Sequence, residues 1–125
     1  MNLLLDTHIL IWALENNPQL SEIAKKAIID GRNVVFISTA SIWEISIKKA
    51  MGKLDVPDNL HQEIQQHRFT LLDINYDHAQ LAGELPNIHK DPFDRMLIAQ
   101  TKIEKLTLVT KDKYISQYDA KVLKA

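Results

Sequence analysis

The stretch Leu3-Leu4-Leu5-Asp6, near the N-terminal end of the chain, is an apolar run that stops at a carboxylate. Three further runs are short and mainly apolar without strict alternation, at residues 34–37, 69–74 and 106–109. Such runs are typical of strands that are buried on both faces, as in a parallel sheet. The four runs therefore predict strands of one sheet, with Asp6 directly beyond the first strand.

Longer segments with helical periodicity separate these runs. They cover residues 9–14, 21–28, 41–51, 57–68, 77–85 and 93–105. Ser21 is expected to cap the second helix, and Gly31 and Gly52 are expected to take left-handed positions at helix ends. The alternation of strands and helices predicts one domain over residues 1–125, with a three-layer α/β/α fold around a central, mostly parallel sheet.

The composition excludes several classes of site. The chain has no cysteine, so disulfides, thiolate metal sites and cysteine nucleophiles are excluded. No apolar run approaches the ~20 residues that span a bilayer, and no basic lead-in of a signal peptide occurs, so we expect a cytoplasmic protein without a membrane partner. The formal net charge of -1 gives no general attraction to nucleic acid, so an anionic substrate would have to be attracted locally.

Four carboxylates stand where apolar segments meet polar ones: Asp6, Glu44, Asp94 and Asp112. A carboxylate beside the core costs free energy unless it is paired or binds a metal. Asp6 and Asp112 follow predicted strands, at the edge where open parallel sheets bind ligands. Together the four predict a hard-cation site with oxygen ligands, which favours Mg²⁺ or Mn²⁺ over zinc.

Each acid also has a purely structural interpretation. Asp6 could cap the first helix, and Glu44 could pair with the lysine four residues later. Asp91 could cap the helix that begins at Pro92, with Asp94 reaching back as in a capping box. Asp112 could be a turn residue. Capping alone does not explain why two of the acids follow buried strands, so the sequence favours one shared site.

Four blocks of sequence together resemble the PIN domain family, in particular the VapC-type toxins of bacterial type II toxin–antitoxin pairs. The blocks are residues 3–8, 41–45, 89–99 and 108–112, and the resemblance covers essentially the whole chain. It implies a metal-dependent endoribonuclease in which carboxylates hold Mg²⁺ or Mn²⁺ and an RNA phosphodiester is hydrolysed. It also implies a cognate antitoxin that blocks the site, and a homodimer.

The resemblance assigns roles by position. Asp6 and Asp94 would be the firmest metal ligands, and Glu44 and Asp112 would complete the catalytic and metal-binding set. Thr110 resembles the family's small hydroxyl residue beside the fourth acid, where it would position a water or a ligand.

Two residues keep two interpretations each. Asp91 is either a fifth acid of the site or only a helix cap. Arg95 either supports the site by contacting phosphate or pairs with an acid inside the protein. Trp12 and Trp43 are expected to be core or partner-contact residues rather than base-stacking platforms.

Two other function classes stay open. A receiver domain of a signalling pathway has a similar length, an α/β fold and an acidic Mg²⁺ pocket. However, Asp6 is followed by Thr7 rather than by a second acid, and Asp55 does not follow a convincing strand. A PIN-like module that binds a partner without cutting RNA is the other alternative.

Overall fold

Five parallel strands form one sheet, and six helices flank it, in the computed structural model, which describes all residues 1–125. The strands are β1 (Asn2–Leu5), β2 (Val34–Ser38), β3 (Thr70–Leu72), β4 (Thr107–Thr110) and β5 (Val122–Lys124). The helices are α1 (Thr7–Glu15), α2 (Glu22–Ile29), α3 (Thr39–Ala50), α4 (Leu60–Gln66), α5 (Tyr76–Glu84) and α6 (Pro92–Ile103), and a 3₁₀ helix spans Ile115–Gln117.

The order of strands across the sheet is β3-β2-β1-β4-β5, and every neighbouring pair is parallel. The chain moves outward from β1 through β2 to β3 and then returns to build β4 and β5 on the other side. The direction of winding therefore changes between β1 and β4. In an open α/β sheet, the crevice beyond the carboxyl ends of two such strands is where ligands bind.

Alternate residues of β1 face two separate cores. Leu3 and Leu5 are buried in one core with residues of α1 and α2, whereas Leu4 is buried in the other with Leu97 and Leu108. Because a strand points successive side chains to opposite faces, this division requires helices on both sides of the sheet. The predicted three-layer α/β/α fold is confirmed.

The structure corrects several predicted details. The sheet is wholly parallel, and it contains a fifth strand, β5, that the apolar runs do not predict. The run at residues 69–74 contains only the short strand β3, which lies at the sheet edge and is largely exposed, so it is not buried on both faces. Helix α4 is shorter than the predicted 57–68 segment.

The predicted helix caps are partly confirmed. Ser21 accepts a hydrogen bond from the backbone N–H of Ala24, as expected of an N-cap. Gly52 has a positive φ of 68°, as predicted. The prediction for Gly31 is wrong, because Asp30 ends α2 in an extended conformation and no left-handed residue is needed there. No helix is both long enough and apolar enough to cross a bilayer.

Candidate metal centre

A cleft of about 460 Å³ lies beyond the carboxyl ends of β1 and β4, with α1, α3 and α6 contributing to its walls. All four acids predicted from the sequence line this cleft, and the fifth candidate lines it too: Asp6, Glu44, Asp91, Asp94 and Asp112. The position of the cleft is the one that parallel-sheet geometry predicts.

Asp6 is at the same time a helix cap and a residue of the cleft. Its Oδ1 accepts a hydrogen bond from the Ile9 N–H at 2.8 Å, which caps α1, and its Oδ2 accepts from the Thr110 hydroxyl at 2.5 Å. Thr110 Oγ1 accepts in turn from the Asp112 N–H at 3.0 Å. Thr110 therefore links the first and fourth acids. Burial raises the pKa of Asp6 above its ordinary value.

Asp94 and Asp112 are brought together by a histidine. His89 Nε2 lies 2.9 Å from Asp94 Oδ2 and 3.0 Å from Asp112 Oδ2. One ligand atom from each of the three residues lies within 4.8 Å of the others. The sequence places His89 at the start of the block at residues 89–99, so it could adjoin the site. A loop histidine carries no periodic signal, however, and no role for it is predicted.

Among the acids of the cleft, Asp94 has the pKa that is raised most. Burial is the largest cause, and the neighbouring Asp91, Asp6 and Asp112 add repulsion, so that the pKa of Asp94 rises to about 7 despite the opposing effect of His89. In the absence of a cation, the cluster therefore retains a proton close to neutral pH. A crowded set of carboxylate oxygens with unfavourable self-repulsion fits a hard divalent cation such as Mg²⁺ or Mn²⁺.

Glu44 is buried in the wall that α3 provides. This helix follows β2 without a loop, because Ser38 both ends the strand and caps the helix by accepting from the Ala40 N–H at 3.0 Å. Glu44 Oε2 lies 2.6 Å from Lys48 Nζ, and this contact raises the pKa of Lys48. The structural interpretation of Glu44 as an ion-pair partner is therefore correct, and the residue also faces the cleft.

Asp91 caps a helix and also lies in the cleft, so its role as a fifth acid of the site stays a prediction. Its Oδ1 accepts hydrogen bonds from the N–H groups of Phe93 at 2.8 Å and Asp94 at 3.3 Å, which caps α6. The same side chain lines the cleft. The predicted capping box is wrong, however, because the Asp94 carboxylate contacts His89 instead of reaching back to the cap.

Arg95 does not pair with an acid, so that expectation is wrong. Its guanidinium donates to five backbone carbonyls in the segment that leads from α5 towards α6, those of Ala82, Gly83, Leu85, Pro86 and His89. The bond to the His89 carbonyl is 3.2 Å long, and the His89 N–H donates to the Tyr118 hydroxyl at 2.7 Å. Arg95 therefore acts on the cleft only through the backbone that carries His89.

Two lysines supply positive charge at the cleft. Lys48 and Lys111 both line it. Lys111 Nζ lies 4.7 Å from the centre of the Trp12 ring, a cation–π contact that restrains the ammonium group. Trp12 is nearly buried, as expected of a core residue. Trp43 is 61% exposed, so it is not a core residue, and its partner contact stays a prediction.

The structure argues against the receiver interpretation. Asp55, the nearest match to a phospho-acceptor, is exposed in the loop between α3 and α4 and does not line the acidic cleft. A receiver needs that acceptor at the end of a strand inside the acidic pocket, which this fold does not provide.

One family model matches most of the chain. The model of the PIN domain family matches residues 3–121. No curated protein matches the chain.

Solved structures share the fold at low sequence identity. The chain is similar to a chain of VapBC2 from Rickettsia felis bound to a promoter DNA fragment, with a TM-score of 0.75 and 17% identity over 100% of this chain and 99% of the other. For DNA-bound VapBC from Salmonella typhimurium the TM-score is 0.73, with 17% identity over 99% and 98%. For a toxin–antitoxin complex from Klebsiella pneumoniae it is 0.65, with 20% identity over 96% and 94%.

Proposed function

Since the chain belongs to the PIN domain family, we propose that it is a Mg²⁺- or Mn²⁺-dependent endoribonuclease and the toxin of a VapC-type toxin–antitoxin pair. The proposal depends on one observation above all. Five carboxyl groups line a single cleft at the switch point of the sheet, and burial, together with repulsion from the neighbouring acids, raises the pKa of Asp94 to about 7. Such repulsion is costly for the fold unless a cation offsets it.

Asp6, Asp94, Asp112 and Glu44 would hold the metal. When bound, a divalent cation supplies Lewis-acid polarisation of the phosphate, a more acidic water and stabilisation of the leaving oxygen. The donor set determines the kind of metal, since carboxylate oxygens without thiolates favour hard cations.

The chain's own residues orient this set. The Thr110 hydroxyl donates to Asp6 Oδ2 and accepts the Asp112 N–H, so it fixes the relative position of the two acids. Hydrogen bonds of this kind to ligating carboxylates tune metal affinity. His89 holds Asp94 and Asp112 by contacts of 2.9 and 3.0 Å from the same nitrogen.

The two lysines that line the cleft would attract the phosphates of the RNA. Lys48 pairs with Glu44, and its own side chain is about half exposed to solvent. The contact with Glu44 raises the pKa of Lys48, and the charges of Asp91 and Asp94 raise it further. Lys111 is restrained against Trp12 at the other wall. Their charges offset the acids locally, which is what a protein of net charge -1 needs in order to bind RNA.

The proposed partners are an RNA substrate, a cognate antitoxin and a second copy of the chain, and the proposed location is the cytoplasm. Support for the antitoxin comes from the shared fold, because the similar solved structures include complexes described as VapBC and as toxin–antitoxin.

The test is RNA cleavage by the purified chain with Mg²⁺, with Mn²⁺ and with EDTA. Asp6→Asn and Asp94→Asn are the site variants, and Asp119→Asn is the matched control, since Asp119 is an exposed acid outside the cleft. We expect cleavage by the parent chain and the control only, and no cleavage in EDTA. Calorimetric titration with Mn²⁺ should show a loss of affinity in the same two site variants.

Two results would contradict the proposal in different ways. Equal cleavage by all variants would indicate a contaminating nuclease. Mn²⁺ binding that depends on Asp6 and Asp94, combined with no cleavage of any RNA tested, would favour the non-cleaving binding module.

A further inference from the structure

An apolar groove of about 370 Å³ lies beside the acidic cleft and is not used by the proposed chemistry. Its principal lining residues are Ala40, Trp43, Ile74, Lys90, Phe93 and Met96. The groove and the cleft are adjacent because α3 and α6 form walls of both. Trp43 precedes Glu44 on α3, and Phe93 precedes Asp94 on α6, so in each helix one residue faces the groove and the next faces the cleft.

Trp43 is a large aromatic side chain that is exposed in this groove. It is 61% exposed, although tryptophan is usually well buried. Phe93 supports it from the side, with ring centres 5.3 Å apart and planes at 74°. This edge-to-face packing restrains the orientation of the indole, while most of the Trp43 surface stays in contact with solvent.

The charge of the groove is opposite to that of the cleft. Lys90 is exposed on its rim, and no aspartate or glutamate lines it. The groove therefore presents an aromatic face, an apolar floor and a cation. These are the three features that bind a nucleotide, through base stacking and phosphate attraction.

The size of the groove also favours a nucleotide. A volume of about 370 Å³ falls within the range of small-ligand sites. A stable protein interface buries about 800 Å² on each partner, which a pocket of this size provides only as part of a much wider surface.

We infer that this groove is a nucleobase subsite, in which Trp43 stacks on an unpaired base of the RNA next to the phosphate held in the acidic cleft. The inference rests on the proposed ribonuclease function and adds a substrate requirement to it. The RNA is single-stranded around the cut, and one base beside the cut is unstacked from its neighbours.

The test measures RNA binding and tryptophan emission without cleavage. Short single-stranded RNA oligonucleotides with an end label are titrated into the Asp94→Asn protein with Mg²⁺, by fluorescence anisotropy. Intrinsic emission is followed in parallel. Trp43→Phe keeps an aromatic ring and removes the Trp43 signal, so the difference between the two emission titrations isolates Trp43 from the other tryptophan.

We expect Trp43 emission to be quenched as RNA binds. Trp43→Ala should weaken binding by about 5- to 150-fold, the usual effect of losing one base–aromatic stack. Trp43→Phe should stay within about 5-fold of the parent, because a ring still stacks. Tyr76→Ala is the matched control, since Tyr76 is 78% exposed and does not line the groove. An oligonucleotide with abasic positions should bind the parent and Trp43→Ala equally.

Failure of this inference is distinguishable from failure of the proposed function. If the parent chain cleaves RNA but Trp43→Ala binds RNA normally and Trp43 emission does not change, the subsite is refuted and the nuclease remains. If Trp43→Ala instead weakens self-association in sedimentation while RNA affinity per chain is unchanged, the groove is a protein interface and the inference is wrong. Thermal melting of each variant checks that it is folded.

Discussion

Asp94→Asn is expected to reduce the loss of folding stability that the metal-free protein undergoes as pH rises towards 8. The Asp94 side chain is 23% exposed, and its pKa is raised from 3.8 to about 7. Between these two values the folded state binds a proton that the unfolded state releases. The free energy of unfolding of the parent chain therefore falls as pH rises through this range. Asparagine has no carboxyl group that titrates, so the free energy of unfolding of the variant does not fall for this reason.

The size of the effect follows from the two pKa values. Each unit of difference corresponds to about 1.4 kcal/mol, so the full difference of about three units is worth about 4 kcal/mol. At pH 5 the chain has already lost part of this free energy, because the loss begins near the unfolded-state pKa of 3.8. The remainder is lost between about pH 5 and about pH 8. We therefore expect the parent chain to lose about 2–3 kcal/mol more than Asp94→Asn over this interval.

The assay is urea denaturation followed by far-ultraviolet circular dichroism, in EDTA, at both pH values. Asp119→Asn is the matched control, because it removes one exposed acid outside the cleft. Its profile should parallel that of the parent. At the higher pH, Mn²⁺ should then stabilise the parent by mass action and stabilise Asp94→Asn much less.

Parallel pH profiles of the parent and Asp94→Asn would refute the reasoning. They would mean that burial and the neighbouring acids together do not raise the pKa of Asp94. The energetic argument for a cation at this site would then fail, whatever the family resemblance.

Three other perturbations test separate parts of the structure. Thr110→Val keeps the shape of the side chain but removes the hydroxyl between Asp6 and Asp112, so Mn²⁺ affinity by calorimetry should fall by about 10- to 100-fold; an unchanged affinity would remove Thr110 from the site. Lys111→Gln should lower RNA affinity and reduce the slope of log affinity against log salt by about 0.7, the value for one phosphate contact on a single strand; an equal slope would leave Lys111 as a surface residue. His78→Phe removes the partly buried contact of 2.7 Å between His78 Nε2 and Glu104 and the hydrogen bond that His78 Nδ1 accepts from the Asn75 N–H; together these should cost about 1–3 kcal/mol in urea denaturation without changing Mn²⁺ affinity.

The part of the site that follows from β1 and β4 could be predicted from the sequence. An apolar run followed closely by a carboxylate predicts both the strand and the place of the acid, because the carboxyl ends of parallel strands meet at one edge of the sheet. Asp6 and Asp112 are of this kind. Glu44 and Asp94 lie on helices, and only the resemblance to a family brought them to the same edge.

Strand β5 and the contacts of His89 are not marked by any local pattern in the sequence. Strand β5 has only three residues and is held by backbone pairing with β4, from Leu108–Val122 to Thr110–Lys124. His89 lies in a segment positioned by Arg95 and Tyr118, through contacts with its backbone rather than its side chain. The sequence around His89 has no pattern that predicts these backbone contacts. Its position between Asp94 and Asp112 is therefore seen only in the structure.

The structural and functional interpretations of the acids turned out not to compete. Asp6 and Asp91 each cap a helix, and each also lines the cleft. An ionised carboxylate has about four lone-pair sites, so accepting one or two N–H groups leaves capacity for a further ligand. The cap also holds the carboxylate in one orientation. Evidence that an acid caps a helix is therefore no evidence against a metal site, and at this edge of the sheet the caps are part of what positions the acids.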